Sequence, residues 1–234
     1  MIKAYFRGYS VSRIVGNQSK LGIIAIIAFC VVCRGLHITW DDLLQTHPDE
    51  RYINLVATSI EFFGTSSDAN GSESRLNPFY WPDTKTTRGI EIPRGEPRLF
   101  AYGHAPLYLR VVVAKGLSFV GKFLGTIDDY VLRHLFLSGD SLEILQMVVV
   151  GRYLSVLADC ITLLIVYFIA KKLEGKLVGL MSAGLFAASV QFIQQAHYGT
   201  FDSLLTTAVT AVLWVLVLYV ESGKVRYLNI AGGA

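Results

Sequence analysis

The sequence predicts an all-α membrane protein, a polytopic transmembrane helical bundle with a large external first loop that carries a membrane-surface helix. Three observations lead there. Of the 234 residues, 53% are hydrophobic and only 17% charged, with a mean hydropathy of +0.46. A soluble domain would carry about a quarter charged residues. The apolar residues come in long blocks, and a helix of about 20 such residues crosses a bilayer. Basic residues cluster in short segments at block ends, the pattern that sets topology across a membrane.

The elements follow in chain order. Residues 1–20 carry Lys3, Arg7, Arg13 and Lys20 with no acidic counterweight, so the N-terminus is expected to be cytoplasmic. Helix one is read over 21–39. Arg34 directly follows the apolar run and no small-residue cleavage site is evident, which favours a retained signal-anchor over a cleaved signal peptide. Residues 40–151 are read as one extracytoplasmic loop. Its block 105–124 contains Arg110, Lys115 and Lys122, each costing roughly 2.5–3.5 kcal/mol at a bilayer centre. Lys115 and Lys122 share a helical face, as suits a helix lying in the interface. Were that block to cross, the basic segment Lys171-Lys172-Leu173-Glu174-Gly175-Lys176 would fall outside. Residues 152–234 then hold helix two (152–170, inward), helix three (177–195, outward), helix four (203–220, inward) and the start of helix five at Tyr227.

Some function classes are excluded by composition. The net charge is +3 and the pI about 8.7, with no basic-aromatic stripe of the nucleic-acid kind. Cys30, Cys33 and Cys160 all lie in apolar runs and read as buried helix residues, not as a metal or redox motif. Asn70-Gly71-Ser72 fits a glycosylation acceptor, a pattern short enough to occur by chance. Asp41-Asp42 and Asp128-Asp129 read as solvated loop charges, with a metal role as the open alternative.

The functional candidates lie in His47-Pro48-Asp49-Glu50-Arg51, on the outer side of helix one. Carboxylates at a bilayer face are costly and are usually kept for chemistry or transport. The turn 195–202, with His197 and Asp202, is expected on the same side, as is Arg152. A carboxylate partly withdrawn from water becomes a better base, and an arginine holds a second carboxylate or a phosphate in bidentate fashion. The plainer alternatives are structural. Pro48, Asp49 and Glu50 suit a helix start, Asp202 and Ser203 suit a helix cap, and Arg152 suits a snorkelling anchor. Asp159 lies on the face of Arg152 two turns on and could pair with it through Ser155 or water.

The acidic pair within His47-Pro48-Asp49-Glu50-Arg51-Tyr52 resembles the opening of membrane glycosyltransferases of the GT-C type, closest to the protein O-mannosyltransferase and aminoarabinose-transferase branch. Tyr102-Gly103-His104-Ala105-Pro106-Leu107-Tyr108 is similar to that family's segment ahead of a surface helix. Gly151-Arg152-Tyr153-Leu154-Ser155 resembles its arginine-led second helix, and Tyr167-Phe168-Ile169-Ala170-Lys171-Lys172-Leu173 the basic end of that helix. Gln194-Gln195-Ala196-His197-Tyr198-Gly199-Thr200-Phe201-Asp202-Ser203 resembles its second external acidic motif. The resemblance runs loosely over residues 15 to 234.

It implies a sugar donor linked to a polyprenyl phosphate (dolichyl or undecaprenyl), and a hydroxyl acceptor on a protein, lipid or glycan. Transfer would invert the anomeric carbon on the extracytoplasmic face, in the plasma membrane or the endoplasmic reticulum. Asp49 is the implied general base and Glu50 its catalytic partner. Asp202, Arg152, His197, Arg51 and His47 are the implied substrate-binding residues, with Arg152 facing the lipid phosphate. No cofactor is expected; monophosphate-donor members generally need no metal, whereas the oligosaccharyl branch does, so a divalent metal stays open. Family members carry more transmembrane helices than are read here, and an N-terminal piece of a longer protein is expected. The alternative function is a transporter or lipid-sugar flippase that uses the external carboxylates. Transporters place ionisable groups near the midplane and often show internal repeats, whereas these acids lie at helix ends and no repeat is visible.

Overall fold

The computed structural model describes residues 18–60, 62, 76–79, 98–124, 127–137 and 143–233. Among them the secondary structure is entirely helical. The helices are α1 (Gln18–Gly35), α2 (Pro48–Thr58), α3 (His104–Leu124), α4 (Tyr130–Leu135), α5 (Ile144–Glu174), α6 (Lys176–Ala188), α7 (Val190–His197), α8 (Asp202–Ser222) and α9 (Arg226–Gly233). The protein is an all-α integral membrane protein. Residues 1–17 and 64–75, which include the basic N-terminus and the Asn70 pattern, lie outside the described residues.

Among the described residues α5 and α8 are long and apolar enough to span a membrane. α6 and α7 make a third candidate if taken as one span bent by 52°. The first expected span, residues 21–39, falls on α1, which ends at Gly35. Expected helix two begins at Ile144 rather than Arg152. Its added turns are apolar: Val148 and Val149 are fully buried with Leu43, and Val131, Leu135, Ile144 and Tyr153 pack around them. Expected helix three is broken at Ser189, whose extended backbone (ψ 116°) ends α6.

The chain divides into two compact units. One comprises residues 1–36, 156–196 and 202–234. Its core is Cys30, Leu163, Tyr167, Ala183 and Ala187. Small residues bring its helices close: a Cβ on Gly179 would stand 3.0 Å from the Tyr167 carbonyl oxygen. α5 and α8 meet through hydroxyls: Thr162 Oγ1 and Thr207 Oγ1 are 2.8 Å apart, one donating to the other, and both lie within hydrogen-bond distance of the Ala158 carbonyl, at 3.0 and 2.9 Å. The outward residues Leu205, Val209 and Leu213 recur one turn apart on α8 and are all exposed, as on a lipid-facing stripe.

The same unit buries an ion pair. Arg34, in the last turn of α1, donates from Nε to Asp159 Oδ2 at 2.7 Å, and both side chains are fully buried. Its Nη1 and Nη2 donate to the carbonyls of Ala187 and Phe186 at 2.9 and 3.2 Å. Both carbonyls lie at the end of α6, where the helix breaks; Phe186 also accepts from the Ser189 N–H at 3.2 Å, so Ala187 depends on Arg34 the more. Non-helical backbone at membrane depth persists only where such groups are satisfied. Asp159 therefore pairs with Arg34, not with Arg152 as its helical spacing suggested.

The other unit comprises residues 37–155 and 197–201. α3 buries Leu107, Val111, Ala114 and Ser118, a stripe at helical spacing. Gln146 on α5 ties to this face through Ser118 Oγ at 2.8 Å and the Ala114 carbonyl at 3.2 Å. The Asp129 side chain, exposed like that of Asp128, accepts from Leu132 N–H at 2.8 Å and caps α4.

Candidate functional site

The site grows from the first turn of α2. Pro48 occupies the first helical position, where its missing N–H costs nothing. Asp49 and Glu50 follow in the first turn, where acidic groups favour the helix dipole. The buried face of α2 is Glu50, Ile53, Asn54, Val56 and Ala57, an i, i+3, i+4, i+7 stripe. One residue back along the helix is about 100° around its axis. Glu50 therefore points inward, fully buried, and Asp49 stays partly exposed.

Arg152 meets Glu50 in a two-pronged pair: Nε to Oε1 at 2.8 Å and Nη2 to Oε2 at 2.9 Å. The guanidinium also donates to Asp41 Oδ1 and Oδ2 at 2.8 and 3.0 Å and to the Ile38 carbonyl at 2.7 Å. An arginine has five N–H donors, and all are used here. These donors hold two carboxylates and a backbone turn. Asp41, read from sequence as a solvated loop charge, is buried at the centre of this cluster. Charge spacing along the loop gave no sign of it.

That turn is strained. His37, Asp42, Leu43 and Gln45 all have positive φ, between 52° and 61°. Left-handed backbone costs a non-glycine residue roughly 1–2 kcal/mol and persists only where its surroundings fix it. Here the fixing groups are visible. Asp41 accepts from the backbone N–H groups of Leu43 and Thr46, each at 3.2 Å, while Arg152 grips Asp41 and the Ile38 carbonyl. Gln45 Oε1 accepts from Asn54 Nδ2 at 3.2 Å, tying the turn to α2.

A second guanidinium completes the network. Arg110 on α3 is buried, donates to Asn54 Oδ1 at 2.5 Å and to the Gly199 carbonyl, and stands 5.2 Å from the centre of the Phe201 ring. Gly151 makes room for it, since a Cβ there would fall 2.5 Å from Arg110 Cζ. Gly199 has φ +58°, and a Cβ would come within 2.9 Å of Glu50 Oε1 and 3.1 Å of Arg152. Ser155 Oγ donates to the Thr200 carbonyl at 3.3 Å. The 197–201 turn is thus stitched to both guanidinium clusters. The core holds Arg110 and Arg152 against Asp41 and Glu50, a balanced set, as buried charges require.

Electrostatics separates the two paired acids. Burial raises the Asp41 carboxyl, but the Arg152 hydrogen bonds and charge and the Thr46 N–H outweigh it and hold the group below its usual value. Burial pushes Glu50 upward, against the pull of Arg152. Burial pulls Arg110 down to about 10, with Glu50 opposing, which leaves it charged at neutral pH.

The remaining expected residues stand as follows. Asp49 makes no side-chain hydrogen bond or ion pair with the described residues. His47 precedes α2 and packs its ring on Tyr198, centroids 4.8 Å apart. Arg51 is exposed and donates to the Gln45 carbonyl at 3.2 Å. The His197 carbonyl accepts from Trp40 Nε1 at 3.4 Å. Asp202 belongs to the first unit described, where it opens α8, is exposed, and accepts from Gln195 Nε2 at 2.6 Å. Among the described residues no group of three or more His, Cys, Asp or Glu side chains is arranged to hold a metal.

Residues 144–234 match the family model described as dolichyl-phosphate-mannose-protein mannosyltransferase. No curated protein and no solved structure matches the chain. The matched stretch begins with α5 and takes in Arg152, Asp159, Gly199 and Asp202.

Proposed function

We propose, from the premise that residues 144–234 carry the signature of a membrane glycosyltransferase of the GT-C type, that this protein moves a hexose from a polyprenyl-phosphate donor to a hydroxyl of a protein acceptor. Asp49 is the general base. The observation that carries this reading is the contrast between adjacent acids. Glu50 is wholly engaged by Arg152, while Asp49, on the same helical turn, keeps an unpartnered, partly exposed carboxylate.

The division of labour is simple. Glu50 positions: its pair with Arg152 fixes the entry of α2. Asp49 takes the acceptor's proton as the acceptor oxygen bonds to the anomeric carbon. The bond from that carbon to the phosphate oxygen breaks, and its electron pair leaves with the polyprenyl phosphate. Attack opposite the leaving group inverts the configuration. The phosphate leaves as a stable anion, so one base suffices. In this reading α2 lies on the extracytoplasmic side and the N-terminus in the cytoplasm.

The test is Asp49→Asn in native membranes, with labelled polyprenyl-phosphate mannose as donor. Loss of a general base costs about 100-fold or more in rate. Transfer at the parental rate removes Asp49 from this role.

A further inference from the structure

Trp40, Tyr198 and His47 form a ring cluster that the proton transfer above does not use. Tyr198 meets Trp40 edge-on with centroids 6.1 Å apart, and His47 lies tilted over Tyr198 at 4.8 Å. The bond from Trp40 Nε1 to the His197 carbonyl fixes the indole, yet Trp40 is 47% exposed. An aromatic of this size normally buries its face. Polar groups without partners border the rings. Neither imidazole nitrogen of His47 bonds to any described residue, and Nδ1 is buried. The Tyr198 hydroxyl also has no partner among the described residues. His47 is two residues ahead of Asp49.

This combination matches one ligand chemistry. A pyranose presents a face of C–H groups, which packs on an aromatic ring, and a rim of hydroxyls, which needs donors and acceptors. A polyprenyl tail would need no polar rim. A phosphate would need a cation aimed at it, but the guanidiniums of Arg110 and Arg152 are turned inward and engaged, and that of Arg51 donates to the Gln45 carbonyl. We infer that Trp40, Tyr198 and His47 form the subsite that receives the pyranose ring of the donor. The inference rests on the reading of Asp49 as the base for that donor.

The competing role for Trp40 is a bilayer anchor, since tryptophan is enriched at membrane interfaces. Kinetics on the full protein in native membranes separates the two. Trp40→Ala is expected to lower kcat/KM mainly through the donor KM, raised about tenfold, a change worth about 1.4 kcal/mol. Inhibition by bare polyprenyl phosphate, which lacks the sugar, is expected to be unchanged. Trp40→Phe, which keeps a ring but loses the bond to His197, should fall between. Three results overturn the subsite: donor KM and polyprenyl-phosphate inhibition weakened together, acceptor KM weakened instead, or unchanged kinetics with a lowered melting temperature. Asp49→Asn keeps the two proposals apart. If it abolishes transfer while Trp40→Ala leaves the donor KM unmoved, the subsite alone is wrong. If it leaves transfer intact, the base is wrong.

Discussion

Glu50 and Arg152 are separated by 102 residues in sequence and meet through two hydrogen bonds of 2.8 and 2.9 Å. Both side chains are fully buried. This pair joins α2 to α5, and the same guanidinium holds Asp41 and the strained turn ahead of α2.

Removing one partner of a buried pair leaves the other charge uncompensated, at a cost of about 3–5 kcal/mol. Arg152→Ala strands two carboxylates, so it should destabilise more than Glu50→Gln, which leaves one buried cation in excess while Arg152 keeps Asp41. Arg152→Lys keeps the charge but lacks the planar fork, and should recover only part of the loss. Thermal unfolding of the detergent-purified protein measures the order; equal melting temperatures for all three variants would contradict it.

Asp41 gives the pH dependence a sign. Its folded carboxyl titrates below the ordinary value of 3.8. The unfolded state therefore binds its proton first as pH falls. The stabilisation from Asp41 is complete above about pH 4 to 5 and drains away as pH drops through the folded value. Asp41→Asn should lower stability at neutral pH and flatten the acid limb of the melting-temperature profile. A parallel profile for variant and parent would refute the assignment.

Gly199 and Gly184 make a matched pair. Alanine at 199 combines a left-handed backbone with a Cβ 2.9 Å from Glu50 Oε1, so strain and overpacking together should cost about 2–4 kcal/mol. Alanine at 184, inside α6 with nothing within 4 Å, should be neutral or stabilising by up to about 1 kcal/mol. The comparison is of folded yield and melting temperature. Gly199→Ala behaving like Gly184→Ala would mean the turn is not held as described.

The Arg34–Asp159 pair differs from Glu50–Arg152 in what else its cation serves. Single substitutions to leucine should each cost about 3–5 kcal/mol. The double substitution removes both charges, yet the Ala187 carbonyl still loses its donor, while the Phe186 carbonyl keeps the Ser189 N–H. It should therefore regain only part of the loss, a residual deficit of about 1–3 kcal/mol remaining. Full recovery in a double-mutant cycle would show that the carbonyl bonds contribute nothing.

Much of the helical content was legible in the sequence. Block length and charge located α3, α5, α6 and α8 to within a few residues at most ends. Partner choice was not legible. Asp159 sits two turns from Arg152 on one helical face, which suggested a pair; the face is real, but it packs where Arg34 arrives. Asp41 beside Asp42 looked like solvent charge because nothing in the local pattern records a cation 111 residues away. Arg110 counted only as a penalty for insertion, whereas Asn54 and Gly199 supply its bonds. The break at Ser189 was invisible because the residues on both sides favour a continuous helix. Hydrophobic period reports which way a residue faces, not what meets it.

The turn ahead of α2 has a consequence for biogenesis. Asp41 and Glu50 leave the ribosome more than a hundred residues before the cation that holds them. Over that interval residues 37–45 have no reason to adopt left-handed backbone, and both acids remain hydrated. The proposed base can acquire its setting only after α5 has been synthesised and inserted. A translation arrest or truncation ahead of residue 152 should therefore yield a chain with no assembled site, a substrate for quality control.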